Sequence, residues 1–163
     1  MIKYDFPNVY SDCKNGVGRL VSKYVASQED REDLFQEIFM NVHAALPRFR
    51  GEAEVKTWVY RIAVNTAMNY LNKQKRYRWA KKVLNGFKLL DQEAPEIATD
   101  ARLLKPLEKL NPQQKTILIL ADVEERKLDE ISEMVKIPVG TVKSNLHRAR
   151  EIVKKEVMEN GGL

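Results

Sequence analysis

Cysteine is nearly missing from this chain. Cys13 is the only one in 163 residues, which excludes an internal disulfide and fits a reducing compartment. Histidine is almost as scarce: His43 and His147 stand far apart without cysteine neighbours, so no metal site is expected. No hydrophobic run approaches the ~18 residues that a membrane-spanning helix needs. Met1-Ile2-Lys3-Tyr4-Asp5 has no apolar signal core, and a cytoplasmic protein is expected. Strand-like alternation of apolar and polar residues is absent, so the expected class is all-α. Paired carboxylates, a nucleophile beside a base and metal-ligand spacing are also missing; no enzyme activity and no cofactor are expected.

What the chain has is charge. Lysine and arginine number 28 against 23 acids, a net charge of +5 on a chain that is 44% hydrophobic and 31% charged. A packed core is affordable, and the basic balance favours an anionic partner, either nucleic acid or an acidic membrane surface. The length suits one domain or two small ones.

The most informative stretch is Pro138-Val139-Gly140-Thr141-Val142-Lys143-Ser144-Asn145-Leu146-His147-Arg148-Ala149-Arg150. Read as a helix, it lines up Val142, Leu146, Ala149 and Val153 as one apolar stripe. Lys143, Ser144, His147 and Arg148 then fall on the opposite side, where donors and cations can reach base edges in a major groove. Upstream, Leu128, Ile131, Met134 and Val135 mark a second short helix, with Lys136-Ile137-Pro138 as a tight turn and Pro138 well placed to open the helix that follows. Two helices this close predict a helix-turn-helix with residues 139–150 as its recognition helix. The alternative for this stretch alone is an ordinary helical hairpin with a solvated basic face.

Further upstream, helical spacing from Gly16 to Val25 is followed by Asp30 as the expected N-cap of a helix over Arg31 to Leu46. Pro7 and Gly16 argue against one long N-terminal helix. Glu32, Asp33, Gln36 and Glu37 cluster outside the apolar face of Leu34, Phe35, Ile38, Phe39, Val42 and Leu46. Acids in a first turn suit the helix dipole; they also form a compact acidic docking surface. Phe49 lies between Arg48 and Arg50 in a loop. An aromatic flanked by cations suits an unstacked base, although spacing alone favours simple packing onto neighbouring helices.

From about Ala53 to the mid-70s the spacing predicts a long helix burying Val55, Trp58, Val59, Ile62, Ala63, Thr66 and Tyr70. Tyr60, Arg61, Asn65, Met68, Asn69 and Asn72 lie on or beside its other side and read as an exposed polar row. Lys73, Lys75, Arg76, Arg78, Lys81 and Lys82 follow without an acid and with Tyr77 and Trp79 interleaved, a pattern that favours phosphate contact. Asn85-Gly86, Pro95 and scattered acids mark residues 79–100 as a linker, with Trp79, Val83 and Phe87 hinting at a short helix at its start. About 22 extended residues reach at most about 73 Å, comparable to the ~70 Å of two duplex turns. Leu103, Leu104, Leu107 and Leu110 predict a short helix, and Asn111-Pro112-Gln113-Gln114 is a capping box opening another. The expected organisation is thus a first domain over 1–78, the linker, and a second domain over 101–163. Whether the two pack together is left open.

Two separated blocks resemble one family. Asp33-Leu34-Phe35-Gln36-Glu37-Ile38-Phe39, Leu46-Pro47-Arg48-Phe49-Arg50-Gly51 and Thr57-Trp58-Val59-Tyr60-Arg61-Ile62-Ala63-Val64-Asn65 resemble region 2 of the extracytoplasmic-function sigma factors of bacterial RNA polymerase. Leu110 to Gln114, Asp129-Glu130-Ile131 and Ile137 to Ser144 with Arg148-Ala149-Arg150-Glu151 resemble region 4. The resemblance implies a non-enzymatic promoter-recognition factor. It implies docking of Asp33, Gln36 and Glu37 on the β′ clamp helices of core polymerase and of the second domain on the β flap. It implies capture of a flipped −10 base by Phe49, Tyr60 and Asn65, with Arg61, Lys73, Lys75 and Arg76 on phosphates. Lys143, Ser144, His147 and Arg148 would face the −35 element, and an anti-sigma factor is an expected partner. The chain departs from the family where Lys136 replaces the usual turn glycine, where Lys127 replaces a Ser or Thr cap, and where the N-terminal helix reads as short. The rival from the residues alone is a stand-alone helix-turn-helix regulator, which leaves the acidic cluster and the polar row unexplained.

Overall fold

The chain enters its first helix, α1 (Phe6–Tyr24), through Asp5, whose carboxylate accepts the Asn8 backbone N–H at 2.9 Å. A cap of this kind stabilises a helix start by about 1 kcal/mol. The computed structural model describes residues 4–84 and 105–160. Contrary to the sequence expectation, α1 is one unbroken helix of 19 residues. Pro7 sits in its first turn, where the missing N–H breaks no bond. Gly16 is carried through because Val9, Cys13, Val17, Leu20, Val21 and Tyr24 bury one continuous face.

Helix α2 (Gln28–Ala45) is also capped differently from expectation. Ser27 is the N-cap and accepts the Asp30 N–H at 3.0 Å; Asp30 lies within the first turn. Its carboxylate is thereby free to accept from Ser27 Oγ at 2.7 Å, Tyr70 Oη at 3.0 Å and Gln74 Nε2 at 2.9 Å. A 3-10 turn (Leu46–Arg48) and Gly51, at φ 74°, carry the chain into α3. Gly51 takes this backbone region without the Cβ penalty that other residues meet.

Helix α3 (Val55–Leu84) is the spine, 30 residues long. It runs six residues into the segment assigned to the linker, absorbing Trp79 and Val83 instead of leaving a separate short helix. Each helical residue advances ~1.5 Å against ~3.3 Å when extended, so the tether reaches less far than the full-linker figure. Asn85-Gly86, Phe87, Pro95, Leu103 and Leu104 lie outside the described residues.

A 3-10 turn (Lys105–Lys109) leads to α4 (Pro112–Leu118), whose capping box forms as read from the sequence. Asn111 accepts the Gln114 N–H at 2.8 Å, and Gln114 Oε1 accepts the Asn111 N–H at 3.2 Å. A π turn (Ile119–Val123) follows, then α5 (Leu128–Val135) and α6 (Val139–Glu159). Among the described residues no strand occurs, in keeping with the all-α expectation. No helix among them is long and apolar enough to cross a membrane.

Helices α1, α2 and α3 pack together, and α4, α5 and α6 form a second bundle. The two are not separate. Helix α3 also packs against α4 and α5, and the buried residues of both halves form one cluster. Val64 and Ala67, which the sequence stripe omitted, are fully buried at i+4 and i+7 from Tyr60. They give α3 a second apolar face, as a helix between two bundles requires.

Candidate nucleic-acid interface

The turn between α5 and α6 is built as its sequence demands. Lys136 adopts φ 56° and ψ 46° at the end of α5, the left-handed conformation in which glycine is commonest. Ser132 Oγ donates to the Ile137 carbonyl at 2.6 Å and closes the turn. Lys127 stands at the α5 N-cap without a side-chain hydrogen bond. Pro138 occupies the α6 N-cap, one position earlier than a helix-opening proline normally sits.

Val142, Leu146 and Ala149 are buried along one side of α6, while Lys143, Ser144, His147 and Arg148 are all exposed. The four residues expected to read duplex therefore share an open face. Arg150, just beyond, is committed elsewhere: Nη2 and Nε grip Asp122 at 2.6 and 3.0 Å. That forked hydrogen bond favours the charged form of Arg150 and raises its pKa.

On α2, Asp33 and Gln36 are exposed, whereas Glu37 is half-buried and accepts from Lys73 Nζ at 3.2 Å. A docking candidate and a phosphate candidate thus touch across α2 and α3. A groove between α1 and α2, lined by Val21, Ser22, Arg31, Glu32, Phe35 and Gln36, lies beside these residues and carries one charge of each sign.

The residues expected to handle a single strand are less open than the sequence implied. Phe49 is half-buried, its ring 4.6 Å from Trp58 and 5.1 Å from Tyr4. Asn65 is half-buried and donates from Nδ2 to the Arg61 carbonyl at 2.9 Å. Asn72 is half-buried, while Asn69 is exposed. The expected exposed row is in part an inter-bundle face, because helical periodicity cannot distinguish water from a second domain. Lys75, Arg76, Arg78 and Lys81 do stand exposed at the far end of α3, with Tyr77 and Trp79 beside them.

Tyr60 and Arg61 meet the second bundle directly. The Arg126 guanidinium lies over the Tyr60 ring, 4.7 Å from its centre. The Tyr60 hydroxyl is buried without a protein hydrogen-bond partner. Arg61 Nη2 is 3.7 Å from Glu133 of α5. Lys23 Nζ of α1 donates to Glu124 at 3.1 Å. Lys115 of α4 is buried and donates from Nζ to the Tyr24 carbonyl at 2.6 Å. Desolvation pushes the Lys115 pKa down to about 8, with Glu108 opposing and Arg78 assisting. Burial likewise pushes the Tyr24 phenol up. Arg126, Glu133, Glu124, Lys23 and Lys115 were not singled out from the sequence. An apolar-period lysine immediately after a capping box was the one signal available.

Residues 9–77 match the family described as Sigma-70 region 2, and residues 101–153 match Sigma-70, region 4. The chain is 33% identical over 168 residues to the ECF RNA polymerase sigma-E factor of Haemophilus influenzae, spanning 95% of this chain and 88% of that one. It is 35% identical over 154 residues to the sigma-E factor of Escherichia coli K12, spanning 86% and 80%. The RNA polymerase sigma-H factor of Pseudomonas aeruginosa is 32% identical over 149 residues, spanning 83% and 77%. The fold is shared with CnrH in complex with the cytosolic domain of CnrY, at TM-score 0.65 and 18% identity over 96% of this chain and 89% of that one. It is also shared with the sigma factor RpoE in complex with the anti-sigma factor NepR from Bartonella quintana, at TM-score 0.66 and 21% identity over 93% and 95%. Two family blocks in order, with whole-length relatives, place the chain among the extracytoplasmic-function sigma factors of bacterial RNA polymerase.

Proposed function

We propose that this sigma factor joins core RNA polymerase in the cytoplasm and selects promoters by reading two DNA elements with its two bundles, without catalysing a reaction itself. The acidic side of α2, through Asp33, Gln36 and Glu37, docks on the β′ clamp helices, and the second bundle lies against the β flap. Lys143, Ser144, His147 and Arg148 enter the major groove of the −35 duplex and donate to base edges and phosphates. Phe49, Tyr60 and Asn65 hold one base unstacked from the −10 strand, while Arg61, Lys73, Lys75 and Arg76 hold its backbone. Unstacking costs a few kcal/mol, which capture of the base offsets, so strand opening occurs where the right base can be caught.

The observation that carries this reading is the exposed polar face of α6 in the same chain as the acidic start of α2. The two solved relatives described above were captured with partner proteins, one of them called an anti-sigma factor. A dedicated protein inhibitor is therefore proposed as a partner here as well.

In vitro transcription with core polymerase over a genomic DNA pool, followed by mapping of start sites, tests the reading. Specific starts that require both the chain and core enzyme are expected. Asn65→Ala is expected to weaken strand opening at those promoters more than it weakens core binding. Tight promoter binding by the chain without core enzyme would instead make it a stand-alone regulator.

A further inference from the structure

Two contacts between the bundles fall on Tyr60 and Arg61, both proposed to handle the −10 strand, while the side chains proposed to read the −35 duplex stay exposed. The Arg126 guanidinium occupies a face of the Tyr60 ring, the position a stacked base would need. Glu133 places a carboxylate beside Arg61, where a phosphate would otherwise sit. On α6, Lys143, Ser144, His147 and Arg148 remain exposed in the same closed arrangement.

The closed interface also carries its own weaknesses. The Tyr24 and Tyr60 hydroxyls are buried without protein partners. The buried Lys115 ammonium has one carbonyl in place of its water shell. Each of these groups recovers hydration when the bundles part. The Arg61–Glu133 pair is itself solvent-exposed, with side chains 46% and 72% accessible, so an anionic strand can displace it.

We propose that the second bundle is an autoinhibitory cap on the −10-reading face, with Arg126 and Glu133 covering Tyr60 and Arg61 until the bundles separate, while the −35 face stays available throughout. This rests on the assignment of Tyr60 and Arg61 to the −10 strand. Opening is then a precondition of base capture but not of duplex reading, and a chain without polymerase has little hold on single strands.

The test compares the full-length wild type with R126Q/E133Q, which removes one charge of each sign and leaves the net charge unchanged. Small-angle scattering measures closure. Fluorescence anisotropy measures binding to a labelled mixed-sequence single-stranded oligonucleotide and to the same sequence as duplex. The variant is expected to be more expanded and to bind the single strand about fivefold or more tighter, with duplex affinity within about twofold. Adding Tyr60→Ala to the variant is expected to abolish the gain. A wild type as expanded as the variant, or an expanded variant with no gain for single strand, overturns the cap. Neither measurement uses polymerase, so a failure of core-dependent transcription remains a separate result.

Discussion

Arg126 and Tyr60 belong to different bundles, yet the guanidinium of one sits 4.7 Å from the ring centre of the other, and the hydroxyl at the edge of that ring has no protein partner. The ring is used and the oxygen is not. Tyr60→Phe keeps the face that Arg126 covers and deletes a buried polar atom. Unfolding by urea is expected to show unchanged stability or a gain of up to about 1 kcal/mol. A loss larger than about 1 kcal/mol would mean that the hydroxyl does have a bonding partner.

Asp30 is the opposite case, since its carboxylate accepts from Ser27, Tyr70 and Gln74. Asp30→Ala leaves the Tyr70 hydroxyl and the Gln74 amide without that acceptor. A loss of about 2–4 kcal/mol is expected in denaturant unfolding, less than the sum of the separate bonds because they share one acceptor. Desolvation, reinforced by Asp30, pushes the Tyr70 phenol up to about 12. An ultraviolet titration of the variant should show one tyrosine ionising earlier than in the wild type.

Lys115 is expected to make the packing of the two bundles depend on pH. Its pKa is about 8 in the closed chain, against an ordinary 10.5 when the side chain is released to water. The open state therefore holds more protons between those values, and closure strengthens as pH rises through that window. The gain is at most about 1.4 kcal/mol per pH unit for one fully released proton. Below the window both states are protonated and the dependence vanishes. Glu108 and Arg78 are the charged groups felt by Lys115, in opposite directions. Scattering from pH 7 to pH 9.5 should show the chain contracting; expansion would contradict the assignment. Lys115→Met should flatten the curve.

Lys136 holds a left-handed backbone with a Cβ attached. Lys136→Gly relieves about 1 kcal/mol of strain, against a smaller entropic cost in the unfolded chain. A modest rise in Tm is expected, with duplex binding unchanged because Lys136 is not among the four α6 side chains proposed to read it. A fall in Tm would show that the lysine side chain stabilises the turn by another route.

The local signals in the sequence were legible where one residue type has one physical use. Asn111 and Gln114 announced their reciprocal cap, and Lys136 and Lys127 announced a turn and a helix start short of their usual residues. Competing local signals were less legible. Asp30 looked like a cap, but Ser27 three residues earlier takes that place and frees the carboxylate for α3. Pro7 and Gly16 looked like breaks in α1, yet burial of a whole helix face outweighs one glycine. The contact between bundles left only a short trace, Tyr60, Val64 and Ala67 at helical spacing, which the longer stripe beside it obscured. Tyr60 and Arg61 look the same on paper whether they face water, DNA or another part of the chain.

Three side-chain bridges run between α2 and α3: Asp30 to Tyr70 and Gln74, Glu37 to Lys73, and Asn41 to Thr66. They splint the two helices at intervals along their length. A grip on one helix consequently aims the other, so under the proposed roles the bearing from docking face to captured base is cast into the chain itself. A large machine seizing only the acidic side, as proposed, would inherit that alignment ready-made.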